Sequence, residues 1–183
     1  PLIKAALVHY QFEMIHPFER YNGIVGRIIV QMALRDIANE TLLLICLSEY
    51  LYHNKNEYFD LLQTTQYSGG YIRWIKFFVD AVGKAAKRSA QLLIQYEAIV
   101  VKDKNHLKEI QLLPKSVWIV YDYLKIFPVT SISHAAKQLG SSFNSISMAV
   151  HILSENGIVI QKNDNVRNRI WEYASLASLF IQE

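Results

Sequence analysis

From Ile72 onward the chain repeats one spacing: Ile72, Ile75, Phe78, Val79, Val82 and Ala86, then Leu92, Leu93, Tyr96 and Ile99. Apolar residues at three- and four-residue steps describe one face of an α-helix, so 71–110 reads as a single long helical segment. No Gly or Pro interrupts residues 84–113. The same period runs through the preceding residues. Ile3, Ala6, Leu7, Tyr10 and Met14 predict a helix over 2–14, and Ile24, Val25, Ile28, Ile29, Met32 and Ala33 predict a second from 23 to 38. Pro17 cannot sit inside the first helix and pushes His16 out of the α region, so 17–22 is a loop. Thr41 is a candidate N-cap for a helix over 42–52, followed by another over 55–66.

Pro114 opens a second region. Helices are expected over 116–127, 131–139 and 143–155, with Gly140-Ser141-Ser142 as a tight turn and Asn156-Gly157 ending the last. Residues 158–161 and 169–173 read as two short strands around the polar cluster Asn163-Asp164-Asn165. Three helices followed by a hairpin is the layout of a winged helix-turn-helix. The fold class is thus mainly α, with a helical domain over 1–111 and a winged helix-turn-helix over 112–183.

Composition narrows the function. Half of the 183 residues are apolar (51%) and 19% are charged, which excludes disorder along the whole length. Net charge is only +3, with 13 basic against 11 acidic residues in 1–113 and 6 against 5 in 114–183, so neither half is a basic arm. The single cysteine, Cys46, forms no internal disulfide and offers no Cys/His metal spacing; lying in Leu42–Leu47 it is expected to be a buried thiol. No apolar run approaches the roughly 20 residues of a membrane span, and no signal-peptide pattern opens the chain. A cytoplasmic setting is the default expectation.

The stretch His16-Pro17-Phe18-Glu19-Arg20-Tyr21-Asn22-Gly23-Ile24-Val25-Gly26-Arg27 carries the chemistry. Its loop brings Asn22 and Gly23 to a helix N-terminus, where unpaired N–H groups and the positive end of the helix dipole favour an anion. Gly23 lets a ligand approach the backbone. Arg27, one turn further, can reach back toward that anion, and His16 is a titratable base at the loop entrance. On residue types alone, phosphate binding competes with a plain turn shaped by Pro17 and Gly23.

The run Ala5–Glu13, followed by Ile15-His16-Pro17-Phe18, Asn22-Gly23 and Gly26-Arg27, resembles the Fic family, whose motif reads His-Pro-Phe-x-(Asp/Glu)-Gly-Asn-Gly-Arg-x-x-Arg. Leu47–Tyr50, Asn56-Glu57-Tyr58 and Trp74–Phe78 extend the likeness. Arg167-Asn168-Arg169 before an aromatic strand resembles the winged-helix module often attached to Fic proteins. The resemblance implies the C-terminal part of a Fic-type helical bundle that transfers AMP from ATP to a protein side-chain hydroxyl. His16 would be the base and Phe18 would anchor the loop in the core. Asn22, Gly23 and Gly26 would serve the phosphates, and Arg27 would pair with the distal one. The sequence departs from the motif at three places: Arg20 stands at the acidic metal-ligand position, Tyr21 at the glycine and Ile24 at the first arginine. Arg20 removes an anionic oxygen from any Mg2+ site, so no metal ligand is assigned.

The alternative is an inactive Fic-derived scaffold acting through its winged helix. There Lys137, Asn144, Ser145, Arg167 and Arg169 are the DNA-binding candidates, although the second helix of the motif, with Phe143, Ile146, Val150 and Leu153 as its core side, holds no Lys or Arg. In the Fic family a helical region and a target-docking hairpin precede the motif. The short lead before His16 therefore implies exposed apolar faces on 2–14 and 71–100, to be covered by a second copy or a further segment.

Overall fold

The computed structural model describes residues 1–35, 45–163, 165 and 169–180. It is mainly helical, with nine helices and one three-stranded sheet among the described residues. The chain divides into two compact units, Pro1–Gln91 and Leu92–Glu183.

In the first unit α1 (Leu2–Ile15) and α2 (Asn22–Arg35) pack together, joined by the loop expected at Pro17. The end of the predicted second helix and the Thr41 cap fall outside the described residues. α3 (Leu47–His53) and α4 (Lys55–Ser68) follow, and Gly69 ends α4 at φ 67°, a left-handed conformation that glycine adopts without strain. α5 (Tyr71–Glu109) is the long helix that the periodicity demands. Its first half sends Trp74, Phe77, Phe78, Ala81, Val82 and Ala85 into a core shared with Ala5, Ala6, Tyr10, Val30, Leu34, Leu61 and Leu62. Trp74 is fully buried, and its indole N–H donates to the Ala6 carbonyl at 2.8 Å, so the large ring leaves no polar atom unpaired.

Two expectations for this unit are corrected. Cys46 is exposed, because it occupies the N-cap position of α3 while its neighbours Ile45 and Leu47 take the buried places and its N–H donates to Ser89 Oγ at 3.1 Å. Phe18 is half exposed and tilts over Phe12 with ring centroids 6.3 Å apart; the loop is anchored by other groups.

The second half of α5 belongs to the second unit, where Tyr96, Ile99, Val100 and Leu107 pack on α6 (Lys115–Ile126), α7 (Ile132–Leu139) and α8 (Phe143–Glu155). Ser131 and Ser142 cap α7 and α8 by accepting the N–H groups of His134 and Ser145. The hairpin forms from β2 (Ile160–Gln161) and β3 (Ile170–Glu172), and β1 (Val129–Ser131) pairs antiparallel on the other side of β3, giving the order β1-β3-β2. A short helix, α9 (Ala174–Ala177), closes the described chain. The tyrosines bind this unit internally: Tyr173 donates to Asp103 Oδ2 at 2.6 Å and Tyr121 donates to the Val100 carbonyl at 2.8 Å. Burial, then the bond to Asp103, raises the Tyr173 phenol far above its ordinary range. Phe143, expected on the core side of α8, is exposed instead: Ile146, Ala149, Val150 and Leu153 already fill the contact with the core, and Phe143 stands at the helix's first turn.

The exposed apolar faces expected on 2–14 and 71–100 are largely absent: Ala5, Ala6 and Tyr10 of α1 and Trp74, Phe78, Ala81 and Val82 of α5 are buried against each other's elements, and the exposed apolar residues lie outside this contact. Ile24, Ile28 and Met32 form one stripe of α2, and Ile3 and Ile15 stand out on α1. Among the described residues no helix is long and apolar enough to cross a membrane.

Candidate functional site

The loop between α1 and α2 is held by its own backbone and by one side chain. α1 ends at His16, which turns left-handed (φ 47°) while its N–H still donates to the Phe12 carbonyl at 3.0 Å. Asn22 is buried and clasps the loop: Phe18 N–H donates to Asn22 Oδ1 at 3.0 Å, and Asn22 Nδ2 donates back to the Phe18 carbonyl. That pair of bonds, not the Phe18 ring, fixes the loop. Tyr21 adopts φ 68° at the place where the motif has glycine, and its side chain is 71% exposed. Its carbonyl accepts the N–H groups of both Ile24 and Val25, at 3.0 and 3.1 Å. The N–H groups of Asn22 and Gly23 take no part in these bonds, and they stand at the positive end of α2.

Arg27 folds back along the helix. A Cβ added to Gly23 would lie 3.0 Å from Arg27 Nη1, so the guanidinium rests over the bare Gly23 backbone. His16 is exposed at the loop entrance, and Glu19 and Arg20 are exposed beside it. His16, Gly23 and Arg27 therefore share one loop and helix start. The Asn22 side chain is bonded to the loop itself, at both backbone groups of Phe18. Gly26 faces the other way: a Cβ there would come within 2.5 Å of Glu13 Oε1 and 3.2 Å of His9 Nδ1. The missing side chain there makes room for Glu13 and His9 of α1.

Behind Gly26 lies a polar pocket that sequence reasoning missed. His9 is fully buried, with Nε2 3.1 Å from the Tyr58 hydroxyl. Burial lowers its pKa to about 4, against a smaller upward pull from the Gly26 backbone, and the Arg27 charge lowers it further. The Glu13 carboxyl is pushed up by burial, while His16 and Arg27 pull it down. His9 Nδ1 and Glu13 Oε1 are buried without a hydrogen-bond partner among the described residues. A signal existed: His9 and Glu13 are four residues apart on the stripe of α1 that also holds Ala6, which is a polar pair on a core face.

Residues 1–34 match the Fic/DOC family model. The match spans α1, the loop and α2 as far as Leu34, and thus the whole candidate site. The Fic/DOC match does not extend to Leu47–Tyr50, Trp74–Phe78 or the second unit.

In that second unit Lys137 and Asn144 are exposed on α7 and α8, Ser145 and Arg169 are half-buried, and Arg167 lies outside the described residues. His151 meets the Trp171 ring edge-on with centroids 5.5 Å apart.

Two outcomes test the pocket. Gly26→Ala is expected to lower unfolding stability by about 1–3 kcal/mol in urea denaturation, since the methyl presses on the Glu13 carboxyl end and the buried His9 ring; in a Glu13→Ala background the loss should shrink, offset by the gain of about 1 kcal/mol that Ala brings to a helix. His9 takes up protons more readily unfolded than folded between pH 6.5 and 4, so its contribution to stability is complete above that window and falls as pH drops through it. The expected fall is up to about 3 kcal/mol, with Glu13 working in the opposite sense, and His9→Gln should flatten it.

Proposed function

We propose that the first unit binds ATP on the segment 16–27 and transfers AMP to a side-chain hydroxyl of a protein. The observation that carries this reading is an exposed His16 at the start of a short loop that leads into the first turn of α2, where the Arg27 guanidinium lies over the bare Gly23. The Fic/DOC match over the same residues supports it. In the reaction the target hydroxyl oxygen attacks the α-phosphorus, the bond from that phosphorus to the bridging oxygen breaks, and pyrophosphate leaves. His16 accepts the hydroxyl proton. The Asn22 and Gly23 N–H groups hold phosphate oxygens at the helix start, and Arg27 pairs with the distal phosphate.

Mg2+ does not fit the residues present. Arg20, exposed in the loop, occupies the acidic position and supplies no anionic oxygen there. No step is therefore routed through a metal. The phosphate charge is offset by Arg27, by Arg20 at the loop surface and by the N-terminus of α2.

The alternative, an inactive scaffold acting through the second unit, draws on Ile24 and Arg20 in the motif. Within it a protein partner is favoured over DNA, because α8 exposes Phe143 and Met148 and carries no Lys or Arg.

Incubating the full chain with ATP labelled at the α-phosphate and a lysate of candidate targets decides between the two. Label transferred to protein, and lost at least a hundredfold in His16→Ala, is the expected result. Transfer equal in the two chains would reject the enzymatic reading and leave the scaffold.

A further inference from the structure

We propose that the turn from α4 into α5 is an anion site, one that takes a phosphate monoester carried on a small apolar body. Ser68, Gly69, Gly70 and the first turn of α5 open a cavity of about 470 Å3 against the end of α4, and it shares no residue with the 16–27 loop. The start of α5 is unlike an ordinary helix start. Helix N-termini favour an acidic residue in the first turn or a Ser, Thr, Asp or Asn cap. Here two glycines precede a 39-residue helix whose first turn holds no acid and carries Arg73 instead. Gly70 N–H donates to Ser68 Oγ at 3.1 Å, and Tyr71 N–H donates to the Gly69 carbonyl at 2.9 Å. The next N–H groups, of Ile72 and Arg73, have no carbonyl one turn back within the helix to accept them. A guanidinium beside these donors is repelled by the positive end of the helix unless an anion lies between. No carboxylate lines the cavity, and Arg73 forms no ion pair among the described residues.

A second observation points into the same cavity. Thr65 lines it from α4 and is only 2% exposed, yet its hydroxyl has no hydrogen-bond partner among the described residues. A buried hydroxyl left unpaired costs free energy, which an oxyanion accepting its hydrogen bond would recover. The nearby Ser68 hydroxyl is already spent, donating to the Thr64 carbonyl at 2.8 Å while it accepts from Gly70. Leu61, Tyr71 and Ile72 add apolar wall, which suits a ligand with a carbon body rather than a bare ion. The phosphate would lie on the Ile72 and Arg73 N–H groups, between the guanidinium and the Thr65 hydroxyl.

The full chain is titrated with phenyl phosphate while its backbone amides are followed by NMR. The Ile72 and Arg73 amides are expected to shift and saturate, while those of Asn22 and Gly23 report the 16–27 loop separately. Arg73→Gln, at an exposed position, should weaken this binding about tenfold, and Thr65→Val about threefold. Inorganic phosphate should bind more weakly than phenyl phosphate, and phenol should leave both amides in place. Amides of Ile72 and Arg73 that do not move, an affinity unchanged by Arg73→Gln or by Thr65→Val, or phenol binding as well as phenyl phosphate overturns the anion site. Inorganic phosphate binding as tightly as the ester overturns the apolar half of the ligand. ATP and a protein target play no part, so each outcome stands whether or not the first unit transfers AMP.

Discussion

The close approach of α1 and α2 at Gly26 is the constraint on which the site depends. A methyl group there would press on the Glu13 carboxyl end and the His9 ring, so the bare backbone is what leaves room for those two side chains between the helices. Once they meet, α1 delivers His16 to one end of the loop and α2 delivers Gly23 and Arg27 to the other. The loop between them is then short enough to be closed by a single side chain, Asn22, bonded to both the N–H and the carbonyl of Phe18. Position follows from packing rather than from the loop sequence alone.

Closing the helices in this way buries polar groups, and that sets the electrostatics. His9 is forced neutral, with its pKa drawn down to about 4, and Tyr58 is held as a phenol. Glu13 is left half-buried, with one carboxyl oxygen shut away from solvent. The substitutions at the loop surface change the charge in the opposite direction: Arg20 adds a cation where the motif has an acid, and Ile24 gives up one a helical turn away. Relative to the motif, positive charge near the helix start is thus rearranged more than lost.

The helices were legible in the sequence because their signals are local. Pro17, Gly69, Gly140 and Gly157 punctuate a period that needs no knowledge of neighbours, and α8 has the same bounds as its pattern. Exposure is different, since it depends on what packs opposite. Phe18, Phe143 and Cys46 all carry side chains that ordinarily go inside, yet each stands where another residue has already taken the buried place. β1 escaped notice because Val129–Ser131 is too short to alternate; only pairing with β3 makes it a strand. At the site, His16, Gly23 and Arg27 were readable as a group. The packing of Gly26 against Glu13 and His9 is not legible in one dimension, because a glycine that admits a ligand and one that admits a helix look the same there.

The most direct test is a crystal structure of the full chain grown with ATP. The triphosphate should lie on the Asn22 and Gly23 N–H groups, with a phosphate oxygen on the Arg27 guanidinium, Gly26 still packed against Glu13, and the α-phosphorus facing His16. Nucleotide bound elsewhere, or bound at the loop with Arg27 turned away and His16 beyond reach of the α-phosphate, would contradict it.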